Sequence, residues 1–313
     1  MAELQQNDPD WERKTIEKLA FSAINEQRRA RRWGIFFKSL AFIYLFILLF
    51  VGLGWVGKGG VAKLDHTALI DIQGVIGSGE EVSADAVISS LQAAFESKGT
   101  KGLILRINSP GGSPVQSGLI NDEIKRLRGL HPDVPVYAVV EDVCASGGYY
   151  IAAAADKIYV DKASIVGSIG VLMDGFGFTG AMEKLGVERR LMTAGENKAI
   201  LDPFSPPNEL HQKFAQSMLD EVHQQFIDVV REGRGDRLKE TSETFSGLFW
   251  TGETSIKMGL ADALGSSEYV AREVIKQERI VDFTVREDFV SRFAKRLGAT
   301  MANHISMGNL RMQ

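Results

Sequence analysis

From residue 64 onward, apolar runs of strand length alternate with amphipathic runs of helical length. Residues 68–72, 103–107, 136–140 and 158–160 are rich in β-branched and other apolar side chains and predict strands, the second broken only by Arg106. Residues 84–95 and 116–127 carry apolar positions at helical spacing, and the alanine-rich run 149–155 favours helix. Strand-then-helix units of this size predict an α/β domain, with helices packed on the faces of a mainly parallel sheet. Farther on, Phe214, Met218, Val222, Phe226 and Val229 predict a long amphipathic helix closed by Gly233-Arg234-Gly235. Core packing is the expected role of its apolar face.

The pattern is different before residue 64. Residues 1–32 are polar, with Ile16, Leu19 and Ile24 at helical spacing and a basic cluster at Arg28, Arg29, Arg31 and Arg32. Residues 40–56 contain no charge, and 33–37 extend the run if Lys38 snorkels. Crossing a bilayer takes about 20 residues, and apolarity on every face with Trp33 and Trp55 at opposite ends favours a membrane span over a core helix. A cleaved signal peptide is the rival, but the charged segment ahead is long and no small-x-small site follows. The basic cluster outweighs Lys58 and Lys63, so the N-terminus is expected in the cytoplasm and the rest across the membrane. The expected divisions are a cytoplasmic segment 1–32, an anchor 33–57 with a glycine tether at 57–60, a soluble domain 64–275 and a tail 276–313. Within that tail Phe289, Val290, Phe293 and Leu297 alternate with basic residues in a candidate amphipathic helix.

Composition narrows the chemistry. A net charge of −4 gives no reason to expect nucleic acid as a partner, and a single cysteine excludes a disulfide framework or a multi-cysteine metal site. No metal or cofactor is expected. Residues 136–156 hold the principal chemical feature, a strand followed by Ala145-Ser146-Gly147-Gly148 and then a helix. Such a turn can hold a serine hydroxyl at a helix start beside free backbone N–H groups, so Ser146 is the candidate nucleophile. Its plain alternative is a helix-capping serine followed by packing glycines. Cys144, two residues earlier, is a thiol alternative, though a free cysteine is usually a small buried apolar residue.

Asn108-Ser109-Pro110-Gly111-Gly112 closes the preceding strand in the same way, and a glycine turn there can lay a backbone N–H beside a reacting carbonyl. A serine nucleophile needs a base. None of His66, His131, His211, His223 and His304 has a glycine-rich or strained setting, so each reads as a surface or packing residue. Lysine is the other activator of serine where burial frees its amine. Lys198 lies in a loop before a proline stop, yet residue chemistry alone does not choose it among 36 basic residues.

Six ordered motifs together resemble the single-repeat form of bacterial signal peptide peptidase A, a serine protease family of the Clp protease and crotonase superfamily. They are residues 108–112, 145–150, 155–158, 166–171, the Lys198 loop with Pro203, and Gly252 with 259–262. The resemblance implies Ser146 as nucleophile and Lys198 as general base. It also implies Ser168 as the hydroxyl orienting the lysine amine, and Gly147 with the Gly111-Gly112 turn as oxyanion-hole donors. Asp174 and the other carboxylates would stand outside this dyad.

The expected protein is therefore a membrane-anchored serine endopeptidase acting on cleaved signal peptides or similar membrane-released peptides, in the bacterial inner membrane with its protease domain outside the cytoplasm. Tandem-repeat relatives build the dyad from two repeats, whereas this chain carries one copy of each motif. A homo-oligomeric ring with the dyad shared between protomers follows from that resemblance. Two other classes stay open: a crotonase-like acyl-coenzyme A enzyme, and an inactive scaffold on the same fold.

Overall fold

The computed structural model describes residues 11–52 and 64–286. The chain divides into two compact units, Met1–Val61 and Ala62–Gln313. In the first, a single helix α1 (Trp11–Gly52) runs without a break through the boundary expected at residue 32. Within it Thr15–Leu49 is, among the described residues, the one helix long and apolar enough to cross a membrane. Along this helix Trp33 stacks on Phe37, and Phe36 meets both rings edge-on. The expected tether and the tail helix at 289–297 lie outside the described residues.

The second unit is built on one eight-stranded sheet. In chain order its first elements are β1 (His66–Gln73), α2 (Ala84–Glu96), β2 (Thr100–Ser109), α3 (Pro114–Leu130), β3 (Val136–Ala145), α4 (Gly147–Ala152) and β4 (Lys157–Val160). Then come β5 (Ile165–Gly167), α5 (Thr179–Leu185), α6 (Glu209–Arg234), β6 (Phe249–Thr251), α7 (Gly252–Lys257), β7 (Ala263–Leu264), α8 (Ser267–Tyr269) and β8 (Ile280–Asp282). The main path is β6-β5-β3-β2-β1-β8, parallel except for the β5–β6 pair. The repeated strand-helix α/β architecture expected from the apolar pattern is present.

Strand alternation sends Ile70, Leu105 and Ala138 to the face covered by α2, α3 and α4, and Leu69, Ile104 and Val139 to the opposite face against Val270 and Ala271. Both faces are dry, as parallel strands require. Ser83 and Ser113 cap α2 and α3 through their hydroxyls, with Pro114 at the first helical position of α3. Arg106, the charge that interrupts the β2 pattern, pairs across the ladder with Asp71 through Nε at 2.6 Å and Nη2 at 2.9 Å. This two-pronged bond holds the Arg106 guanidinium above its ordinary range despite partial burial.

β3 outruns the apolar stretch that predicts it. It continues through Glu141 and Asp142 because Asn108 donates to Asp142 Oδ2 at 3.1 Å and accepts from Val143 N–H at 3.2 Å. Its first half pairs with β4 and its second half with β5, so the sheet forks just before the Ser146 turn. The core role expected for α6 is correct for only part of its length. Phe226 and Val230 are buried, and Phe226 meets Tyr150 of α4, but Phe214 is 57% and Met218 46% exposed. The N-terminal turns carry an apolar face that the domain itself leaves uncovered.

Candidate active site

β2 and β3 are neighbours, and their register brings Ser109 opposite Cys144 at the C-terminal rim. The two glycine turns therefore leave the sheet side by side. Ser146 adopts φ 51° and ψ −121°, a conformation that costs a non-glycine residue about 1–2 kcal/mol. Its N–H donates to Gly167 O at 2.9 Å, while its hydroxyl makes no capping bond. The side chain is half-buried. Ser146 thus stands at the helix start without performing the capping that would be the plain reason for a serine there.

The glycines around it are required by contact. A Cβ on Gly111, at φ 104°, would lie 2.7 Å from both Ser146 Cβ and Gly147 N. One on Gly147 would lie 2.4 Å from the Ser117 hydroxyl, and one on Gly112 would lie 2.0 Å from Ile76 O. Backbone accounting then separates the N–H groups. Gly111 N–H is taken by Ser109 Oγ at 3.1 Å, and that hydroxyl donates to Gly74 O at 2.7 Å. Among the described residues, neither Gly112 N–H nor Gly147 N–H has an acceptor. Gly147 is the first residue of α4, where an N–H has no partner within the helix.

Ser168 follows Gly167 and also has a left-handed backbone, φ 52°, with its N–H donated to Leu248 O at 2.7 Å. The structure thus gathers Ser146, Gly147, Gly111, Gly112 and, through Gly167, Ser168 at one rim. Lys198 is not among their partners. It is exposed, and among the described residues its amine makes no hydrogen bond or ion pair. Cys144 faces the core, fully buried, and burial pushes its thiol well above the ordinary range. An enclosed, protonated thiol is a poor nucleophile.

Supporting residues escaped the sequence reading. Ser109 and Ser117 are fully buried beneath the two turns. Asn121 Nδ2 donates to Tyr150 O at 2.7 Å, and Tyr149 OH donates to Leu260 O at 2.7 Å, which ties α4 to its surroundings. Two histidines touch the loops that carry candidate residues: His223 Nε2 lies 3.1 Å from Ile169 O, beside Ser168, and His211 Nε2 lies 3.1 Å from Asn197 Oδ1, beside Lys198. Nothing in their sequence setting signals this, because both contacts cross from α6 to distant loops. No group of three or more potential metal ligands occurs among the described residues.

The fold and rim define an α/β protein that presents a serine hydroxyl next to unpaired backbone N–H groups. The model of peptidase family S49 matches residues 130–281. A Synechocystis protein provisionally named protease slr0021 is 34% identical over 216 residues, 68% of this chain and 74% of that protein. The chain belongs to peptidase family S49.

Other relatives are matched over less of their length. An Enterococcus faecium protein provisionally named signal peptide peptidase SppA is 33% identical, over 67% of this chain and 60% of that protein. A Brucella melitensis protein named Na(+)/H(+) antiporter NhaA is 49% identical over 175 residues, 56% of this chain. The chain spans only 24% of that protein's length, so its name describes a much longer molecule. Among solved structures, a point mutant of ClpP1 from Listeria monocytogenes aligns with a TM-score of 0.41 at 15% identity, covering 64% of this chain and 91% of that one.

Proposed function

We propose that the chain is a membrane-anchored serine endopeptidase that cleaves signal peptides after their release, or similar membrane-released peptides. The observation that carries this reading is Ser146, strained, uncapped and packed against Gly111 at a rim where, among the described residues, Gly112 N–H and Gly147 N–H have no acceptor. Its hydroxyl oxygen attacks the scissile carbonyl, and the proton passes to the Lys198 amine, oriented by Ser168. Gly147 N–H and Gly112 N–H receive the charge that develops on the carbonyl oxygen, since Gly111 N–H is already engaged by Ser109. Lysine then protonates the departing amine, and water releases the acyl group from Ser146. Peptidase-family membership weighs against an acyl-coenzyme A enzyme, and an unpaired nucleophile-type turn weighs against a scaffold.

Lys198 is supplied by an adjacent protomer in a homo-oligomeric ring. Its exposure and the absence of a partner for its amine among the described residues support this, as does the uncovered apolar surface of the same segment: Leu172 is 81%, Phe176 79%, Leu185 77% and Met192 94% exposed. A head-to-tail contact closing on itself generates such a ring. Residues 64–275 form the protease domain, and 33–57 anchor it in the bacterial inner membrane with the N-terminus cytoplasmic.

Mixing inactive Ser146→Ala and Lys198→Ala proteins under conditions that exchange subunits tests the shared site. Partial recovery of peptidase activity is expected, where an intact serine meets an intact lysine. No recovery despite demonstrated exchange rejects sharing, and full activity of either single variant rejects the dyad.

A further inference from the structure

Although the Lys198 amine has no partner among the described residues, the backbone that carries it is held on both sides. Four successive four-residue turns wind through the loop: Lys198 N–H to Gly195 O, Ile200 N–H to Asn197 O, Asp202 N–H to Ala199 O and Ser205 N–H to Asp202 O, at 3.1–3.3 Å. On the near side, His211 in the first turn of α6 is placed by Asn208, whose Oδ1 accepts its N–H at 3.3 Å. Its Nε2 then donates to Asn197 Oδ1 at 3.1 Å, one residue before the lysine.

On the far side, the Asp202 carboxylate is 9% exposed and collects three donors. Ser205 Oγ donates at 2.5 Å, Phe204 N–H at 3.4 Å, and the Arg189 guanidinium completes the set. Arg189 also lies over the Phe204 ring, 5.4 Å from its centroid, and Phe204 stacks on Phe178 at 5.3 Å. Between the anchors Leu201 is held at φ 56°, a strained conformation that survives only where its surroundings over-determine it.

Ordering a surface loop costs conformational entropy, and exposed polar contacts return little of it. An almost enclosed carboxylate, an aromatic stack and a strained residue all serve the loop that presents the exposed Lys198 amine. We infer that Asp202 and His211 are positioning residues that clamp the loop so that Lys198 is presented in one geometry. This rests on the reading of Lys198 as the general base. A loose loop would leave the substrate contacts intact and lower the fraction of time in which the amine meets the serine proton, so the deficit falls on kcat and spares KM.

The test uses the full-length protein in detergent with a fluorogenic peptide. His211→Ala and Asn197→Ala should each lower kcat about 10-fold with KM and thermal midpoint unchanged. The double variant should be no worse than either single one, because both remove the same contact. His211→Gln, which keeps a side-chain N–H donor, should recover most of the rate. Asp202→Asn should lower kcat at unchanged KM; if it fails to fold, the His211–Asn197 cycle decides alone. Wild-type kcat for His211→Ala alongside an inactive Lys198→Ala overturns the clamp, as do additive losses or equal losses in His211→Gln and His211→Ala. An active Lys198→Ala instead overturns the underlying base assignment.

Discussion

Gly111 and Ser146 approach so closely that a single methyl group on the former would fall 2.7 Å from the Cβ of the latter. The turn that follows β2 is in direct contact with the turn that follows β3, and this is why position 111 needs glycine. Among the described residues Gly112 N–H and Gly147 N–H have no acceptor, whereas Gly111 N–H is spent on Ser109.

Gly111→Ala should therefore damage both structure and activity. It places a Cβ at φ 104° and against Gly147 N, forcing the turns apart. We expect kcat/KM to fall by roughly 100-fold, the scale of one lost oxyanion donor, with a lower thermal midpoint. Steady-state hydrolysis and calorimetry check both; wild-type kcat/KM would show that the turns need not touch.

Ser146→Ala should abolish peptide hydrolysis and leave the thermal midpoint within about 2 °C of wild type. The usual loss of about 1 kcal/mol for a capping serine does not apply, because this hydroxyl makes no cap bond. Circular dichroism melting alongside the peptide assay separates the two effects.

Cys144 should behave as a core residue. Its enclosed thiol, pushed up by burial, should resist a disulfide-exchange reagent in the native protein and react on denaturation. Cys144→Ala should keep peptidase activity and lose about 1 kcal/mol of stability. Loss of hydrolysis in a folded Cys144→Ala protein would reopen the thiol as nucleophile.

Acid stability should report on Asp262. Burial raises its carboxyl, but this is outweighed by the hydrogen bond and charge of buried Arg234, by Ile158 N–H and by Arg237, and the net shift is downward. A depressed folded-state value means that the stabilisation is complete above the unfolded carboxylate range near ~4 and is lost as pH falls through the folded value. Urea midpoints measured from pH 6 downward should drop through that window. Asp262→Asn should flatten the drop and cost about 3 kcal/mol at pH 7, since it strands the Arg234 charge. An unchanged acid profile in this variant would show that Asp262 does not couple folding to pH.

Much of this molecule was legible along the chain. Continuous apolar runs of strand length predicted β1, β2, β3 and β4, because parallel strands bury both faces, and helical apolar spacing predicted α2, α3 and α6, because each turns one face to the domain. The two glycine turns were legible because close backbone approach excludes side chains, and the long apolar helix because no soluble face interrupts it. What tertiary structure alone decided is how distant groups meet. That Gly111 rather than Gly112 loses its N–H depends on where the Ser109 hydroxyl points once β1 and β2 have paired. That Ser146 is strained and uncapped depends on Gly167 of β5 drawing its N–H aside. The uncovered first half of α6 carries the same apolar periodicity as its buried second half, and only the position of α4 beneath Phe226 tells them apart. The bonds of His211 to Asn197 and of Arg189 to Asp202 carry no local signal either, for a hydrogen bond across a loop is set by the three-dimensional path of the chain, and linear spacing holds no record of it.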